Sequence, residues 1–238
     1  MVAKIRGTLR QAEREKLKAK SQNSIELSTL SFQPSAPSPK VKVGHTGTLD
    51  PLATGLMVVV IGTYCKRASE FSGLDKAYDV IMKLGQTSST GDKEGEITTV
   101  SSVQPSEEAI LAALEQSTGE IMQTPPAYSA IKINGQRAYK LARAGKEVTI
   151  EPRKVMIHSI RLTDYIYPEV TFTARIGSGT YIRSLAEAIG KILGTGAYVS
   201  VLRRTHVGTF DLKDAMLTGD LTGEIIANNL IQLTETMI

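Results

Sequence analysis

Residues 44–55 read GHTGTLDPLATG, and the seven residues after them, LMVVVIG, complete the stretch on which both fold and chemistry turn. The first part has the composition of a loop, with three Gly, three Thr and one Pro. The second is a short apolar run between Gly55 and Gly62, the pattern of a buried strand. A rigid loop on a strand scaffold is where catalytic side chains are commonly carried. Its one acid is Asp50, whose backbone is restricted by the following Pro51. From composition alone two readings of Asp50 stay open: a turn or capping residue, or a chemically active carboxylate.

Working outward, AYDVIMKLG (77–85) is a second strand candidate, and the polar, Gly-containing QTSSTGDKEGE (86–96) reads as a loop. Ser106 is a good N-cap for a helix over EEAILAALEQ, with acids in its first turn and Ile110, Leu111 and Leu114 on one face. GQRAYKLARAG (135–145) predicts a short helix closed by Gly145. Strands are expected over 155–163 and 169–176. In the second, Val170, Phe172, Ala174 and Ile176 alternate with polar residues, so one face is buried. YIRSLAEAIGKIL (181–193) predicts an amphipathic helix ended by Gly194. Strands and helices mix without strict βαβ alternation. The expected fold is therefore α+β, a mixed, largely antiparallel central sheet flanked by helices.

The N-terminal fifth has a different texture. Residues 8–20 are charged helix formers, expected as a solvated helix or a basic arm, and the Ser- and Pro-rich stretch 21–39 reads as a linker. Residues 1–43 hold nine Lys and Arg against three Glu, whereas 44–238 hold 19 against 21 acids, so the overall charge of +4 is concentrated in the first segment. The expected organisation is an arm and linker over 1–43, a catalytic body over 44–212 and a short extension over 213–238.

Composition excludes several classes. A length of 238 residues with 41% apolar content supports a substantial core. The single cysteine, Cys65, forms no internal disulfide, which points to a reducing, cytoplasmic setting, and with three scattered His it leaves no zinc-ligand pattern. No apolar run approaches the roughly 20 residues of a membrane span, and no secretory signal follows the basic N-terminus. HTGTLD superficially resembles the loop of Asp-based phosphotransferases. That chemistry needs the Asp ahead of the Thr-Gly-Thr, where this chain has His45.

Four ordered blocks decide between the readings of Asp50. GHTGTLDPLATGLMVVVIG resembles the signature of the TruB family of tRNA pseudouridine synthases. KAYDVIMKLGQTSSTGDKEGEI, QTPPAYSAIKINGQRAYKLARAG and SGTYIRSLAEAIGKILGTGAYVSVLRRTHVGTF resemble the blocks that follow it, over roughly residues 43–212. The resemblance implies a central active-site cleft and conversion of uridine 55 in the tRNA T-loop to pseudouridine. It makes Asp50 the nucleophile, Arg183 the arginine that pairs with it, and Tyr78 a ring that stacks on the base and handles a proton. It places Tyr181 and Leu202 at the substrate pocket, and makes His45 the residue that fills the stack when the base is flipped out. The reaction is redox-neutral, so no metal or organic cofactor is implied. The partner is tRNA, with no membrane, and a monomer is expected. RNA contacts are expected from Lys66/Arg67, Lys132, Arg137, Lys140 and Arg143, Arg153/Lys154, and Arg203/Arg204.

Two departures accompany the resemblance. Residues 1–40 lack the family's Lys-Pro-x-Gly-x-Thr-Ser block, and the 26 residues after Leu212 are too few for a separate RNA-binding domain. The alternative reading is a catalytically impaired tRNA-binding or folding module of the same family.

Overall fold

The computed structural model describes residues 1–22, 41–133 and 135–230, with side chains left aside for 13–22. In chain order it contains α1 (Val2–Gln22), β1 (Val43–His45), β2 (Thr54–Gly55), β3 (Val59–Ile61), a 3-10 turn (Gly62–Arg67), α2 (Ala68–Ser72), β4 (Lys76–Leu84), β5 (Gln86–Ser88), β6 (Ile97–Thr99), α3 (Glu107–Gln116) and β7 (Gly119–Gln123). It continues with β8 (Lys132–Ile133), β9 (Gln136–Arg137), α4 (Ala138–Arg143), β10 (Arg153–Ile166), β11 (Glu169–Ile176), α5 (Ile182–Ile192), β12 (Ala197–Val207), β13 (Phe210–Asp211), a second 3-10 turn (Leu212–Asp214) and α6 (Gly223–Asn228). These group into two compact units, one of Leu49–Leu56 and Gly73–Leu212, the other of Met1–Thr48, Met57–Ser72 and Lys213–Ile238.

The first unit is an α+β body. Its sheet runs β13-β12-β4-β11-β10-β7 with antiparallel neighbours, and β2 joins β12 in parallel, so the sheet is mixed but largely antiparallel. Alternation builds its core. Val80, Met82 and Leu84 of β4 point one way, as do Val170, Phe172, Ala174 and Ile176 of β11, and all are buried. The register sets Phe172 opposite Val80 on one side of β4, while Leu202 of β12 faces Val80 on the other. Ile182, Leu185, Ala186 and Ile189 of α5, with Ile110 and Leu114 of α3, join the same core cluster. Burying each large side chain contributes about 1.5–3 kcal/mol.

Local signals act as expected in α3: the Ser106 Oγ accepts from the Ala109 amide at 3.3 Å. Leu111, expected on the buried face, is 47% exposed. The buried stripe runs through Ile110, Ala113 and Leu114, and Leu111 sits about 100° around the helix from Ile110. The run Gly55–Gly62 is not one strand. Thr54–Gly55 pairs with β12, whereas Val59–Ile61 pairs with β1. Gly55 adopts φ +98°, which breaks the extended run between the two.

In the second unit, Ile5 of α1 is buried with Val43 and Ile226. The Arg6 guanidinium donates to the Val43 carbonyl at 3.1 Å. The helix expected at 8–20 therefore begins at Val2 and is anchored by its first turns. Most of the linker expected over 21–39 lies outside the described residues. Among the described residues, no helix is long and apolar enough to cross a membrane.

Phe172 is fully buried between β4 and β10. Phe172→Ala is expected to lower unfolding free energy by about 3–5 kcal/mol in urea titrations.

Candidate active site

The Asp50 loop is held at both ends within the first unit. The Ala53 amide donates to the Asp50 carbonyl at 2.9 Å, closing a turn with Pro51 in the position that favours its fixed φ. Leu52 drops into the core cluster. At the exit, the Leu56 amide donates to the Arg204 carbonyl at 2.8 Å, and the Arg204 Nε donates back to the Leu56 carbonyl at 2.8 Å. The approach is close enough that a Cβ on Gly55 would lie 2.2 Å from the Arg204 carbonyl oxygen.

Arg183, on the first turn of α5, faces this loop. Its Nε donates to Asp50 Oδ2 at 2.9 Å and its NH2 to Asp50 Oδ1 at 3.0 Å, a bidentate fork. NH1 donates to the Thr90 carbonyl at 2.9 Å, and NH2 also reaches the Tyr128 carbonyl at 3.0 Å. A second carboxylate, Asp92, lies 3.6 Å from Nε. The Arg183 side chain is 3% exposed, while that of Asp50 is 29% exposed. The guanidinium is thus buried and committed, and the carboxylate it orients remains open to a ligand. A buried cation requires this kind of compensation.

Asp92 is itself buried and fixed. Its Oδ1 accepts from the Thr90 hydroxyl at 2.6 Å and from the Glu94 amide at 3.0 Å, which leaves Oδ2 toward Arg183. Sequence reasoning missed Asp92, reading 86–96 only as a polar loop. The available signal was an acid among Ser, Thr and Gly, the residue types that tie a carboxylate down.

Tyr78 lies on β4 directly opposite Arg204 of β12. Burial raises the Tyr78 phenol above its ordinary 10.0 and the Asp50 charge adds to this, while the Arg204 guanidinium, which hydrogen-bonds the hydroxyl, opposes them. The hydroxyl is therefore a proton donor at neutral pH. Arg204 is 2% exposed, so its expected role as a phosphate contact is corrected: it is an internal brace, and Arg203 is the exposed member of that pair.

Tyr181 is the residue immediately before α5, and Leu202 is buried in the core on β12. His45 belongs to the second unit, where it is exposed at the end of β1 opposite Val59. Lys132, Arg137, Lys140 and Arg143 are exposed around the β8–β9 hairpin and α4. Lys154 pairs with Glu120 at 2.8 Å and Arg67 with Glu70 at 2.7 Å. Among the described residues there is no group of three or more His, Cys, Asp or Glu able to hold a metal ion.

Residues 36–182 match the family described as TruB family pseudouridylate synthase (N terminal domain). The chain belongs to that family. Residues 183–233 match the tRNA pseudouridylate synthase B C-terminal domain, so Asp50 and Arg183 fall on either side of the family's own division. The tRNA pseudouridine synthase B of Burkholderia lata is 46% identical over 175 residues, covering 74% of this chain and 54% of that one. Its counterpart in Cupriavidus metallidurans is 47% identical over 177 residues, covering 74% and 56%. The chain thus spans about half the length of the curated relatives it matches. Among solved structures, a Cbf5-Nop10-Gar1 complex aligns with a TM-score of 0.60 at 27% identity, covering 78% of this chain and 46% of that one. An H/ACA RNP bound to a substrate RNA containing 2'-deoxyuridine aligns with a TM-score of 0.56 at 25% identity, covering 78% and 45%. These relationships agree with the α+β fold expected from the mixing of strands and helices in the sequence.

Gly55→Ala is expected to cost about 1–3 kcal/mol, because both the positive φ and the Arg204 backbone oppose a Cβ. A lowered urea midpoint at unchanged slope checks it.

Proposed function

We propose that the chain is a tRNA pseudouridine synthase that isomerises uridine 55 of the T-loop, with Asp50 as the nucleophile. The observation that carries this reading is the bidentate Asp50–Arg183 pair, buried on the arginine side and open on the carboxylate side, in a TruB-family loop.

The reaction breaks the bond between N1 of uracil and C1′ of ribose, turns the base and joins C5 to C1′. The proton leaves C5 and one is gained at N1, so atoms and charge balance without oxidant, water or metal. A fixed carboxylate serves as the covalent nucleophile while the base is detached. Arg183 holds that carboxylate in place through its two-pronged contact. Tyr78 stacks on the base, and its hydroxyl, braced by Arg204, exchanges the proton. Tyr181 and Leu202 shape the pocket. His45 fills the stack left by the flipped nucleotide, which must leave the loop for C1′ and C5 to be reached. Asp92 is a positioning residue acting through Arg183.

In this reading residues 44–212 form the catalytic domain and contain all of these groups. The exposed cations around α4 meet tRNA phosphates, and one copy of the chain acts alone in the cytoplasm.

The test is unmodified tRNA incubated with wild type and with Asp50→Asn, without added metal, followed by mapping of pseudouridine. Wild type is expected to modify the T-loop. The variant is expected to bind tRNA and lose more than about a thousandfold in rate. Product from Asp50→Asn at the wild-type rate would remove the nucleophile assignment. A folded wild type that binds tRNA without forming product would instead identify an RNA-binding module.

A further inference from the structure

Tyr181 stands at the boundary of α5 without a capping side chain of its own. It is held from two residues that face each other across a strand pair. Gln123 ends β7, Arg153 begins β10, and the two are register partners. The Gln123 carboxamide grips the Tyr181 backbone in both senses: its Nε2 donates to the Tyr181 carbonyl at 3.1 Å, and the Tyr181 amide donates to its Oε1 at 2.8 Å. Gln123 is 5% exposed, so this is an internal contact.

Arg153 takes the side chain. Its guanidinium carbon lies 5.6 Å from the centroid of the Tyr181 ring, within cation–π range. Its NH2 donates to the Gly179 carbonyl, in the turn that leads into Tyr181. Gly179 has φ +84°, and a Cβ there would meet the Arg153 NH2 at 3.2 Å. The Nε of Arg153 is buried with no hydrogen-bond partner among the described residues. A buried donor left unmatched is unfavourable. A guanidinium that accepts this in order to lie on a ring and hold its turn is not behaving as a solvated surface charge. Its neighbour Lys154, by contrast, pairs with Glu120 in an exposed ion pair.

We infer that Gln123 and Arg153 clamp Tyr181 by backbone and ring respectively, and that Arg153 is a positioning residue for the target base acting through that ring. The inference rests on the proposed function, which sets Tyr181 at the uridine pocket. Tyrosine has few rotamers, so a backbone grip and a cation on one ring face leave the ring a single orientation for the planar base.

The test is a double-mutant cycle between Arg153→Met, which keeps length and removes the cation, and Tyr181→Leu, which removes the ring. It is read twice: by single-turnover conversion of unmodified tRNA with enzyme in excess, and by urea denaturation, which needs no product. Arg153→Met is expected to slow conversion about fivefold to thirtyfold, the range of a partly desolvated cation–π contact. Arg153→Lys is expected to recover most of that loss. In the Tyr181→Leu background Arg153→Met is expected to add no further loss of rate, and its effect on the urea midpoint should likewise shrink. Equal losses in both backgrounds, or no loss in either, would overturn the clamp. If Arg153→Met fails to fold, Arg153→Gln carries the same cycle. A wild type that forms no pseudouridine would count against the proposed function alone, and the clamp would then stand or fall on the coupling in urea.

Discussion

A guanidinium buried to 3% exposure organises the candidate site of the larger unit. Arg183 cannot stay there unless every donor is answered, because leaving a buried charge unmatched costs several kcal/mol. Its partners come from Asp50, from the Thr90–Asp92 loop and from Tyr128, segments separated by up to 133 positions in the chain. The need to neutralise one cation thus draws three loops to one point. It also decides which of the two carboxylates is available. Asp92 is covered and tied by a hydroxyl and an amide, whereas Asp50 keeps an open side.

The sheet repeats the device on a smaller scale. Arg204 joins the exit of the Asp50 loop to the Tyr78 hydroxyl, and Arg153 lies on the Tyr181 ring. Three arginines are therefore used inside the protein to orient a carboxylate and two tyrosines. This is why net charge was a poor guide to function here. Several cations expected to contact RNA are engaged within the fold, while Lys66, Lys132, Lys140 and Arg203 are exposed on separate elements.

The elements that were legible in sequence are those whose period is clean. The alternation in β11, the apolar stripe of α5 and the Ser106 cap of α3 each follow from local spacing, and the structure carries them at those positions. The strand β12 was not legible. Two register irregularities interrupt its alternation, and it carries a buried arginine where an apolar residue would be expected. The short β7 exposes Met122 and buries Gln123, the reverse of what their polarity suggests, and is recognisable only once β10 pairs with it. The candidate site divides the same way. Asp50, Tyr78 and Arg183 were found through the ordered TruB blocks, and the contact between Asp50 and Arg183 is direct. The contacts that tie Asp92 down are local, whereas its approach to Arg183, the grip of Gln123 and the internal role of Arg204 depend on pairings between distant segments, which no local pattern encodes.

In the proposed reaction the fork of Arg183, and not only its charge, makes Asp50 competent. Single-turnover pseudouridine formation by Arg183→Lys tests it most directly, because lysine keeps the cation and loses the planar bidentate geometry. The expected rate is at least about a hundredfold below wild type, with tRNA affinity close to unchanged. A lysine variant that converts tRNA at the wild-type rate would contradict it.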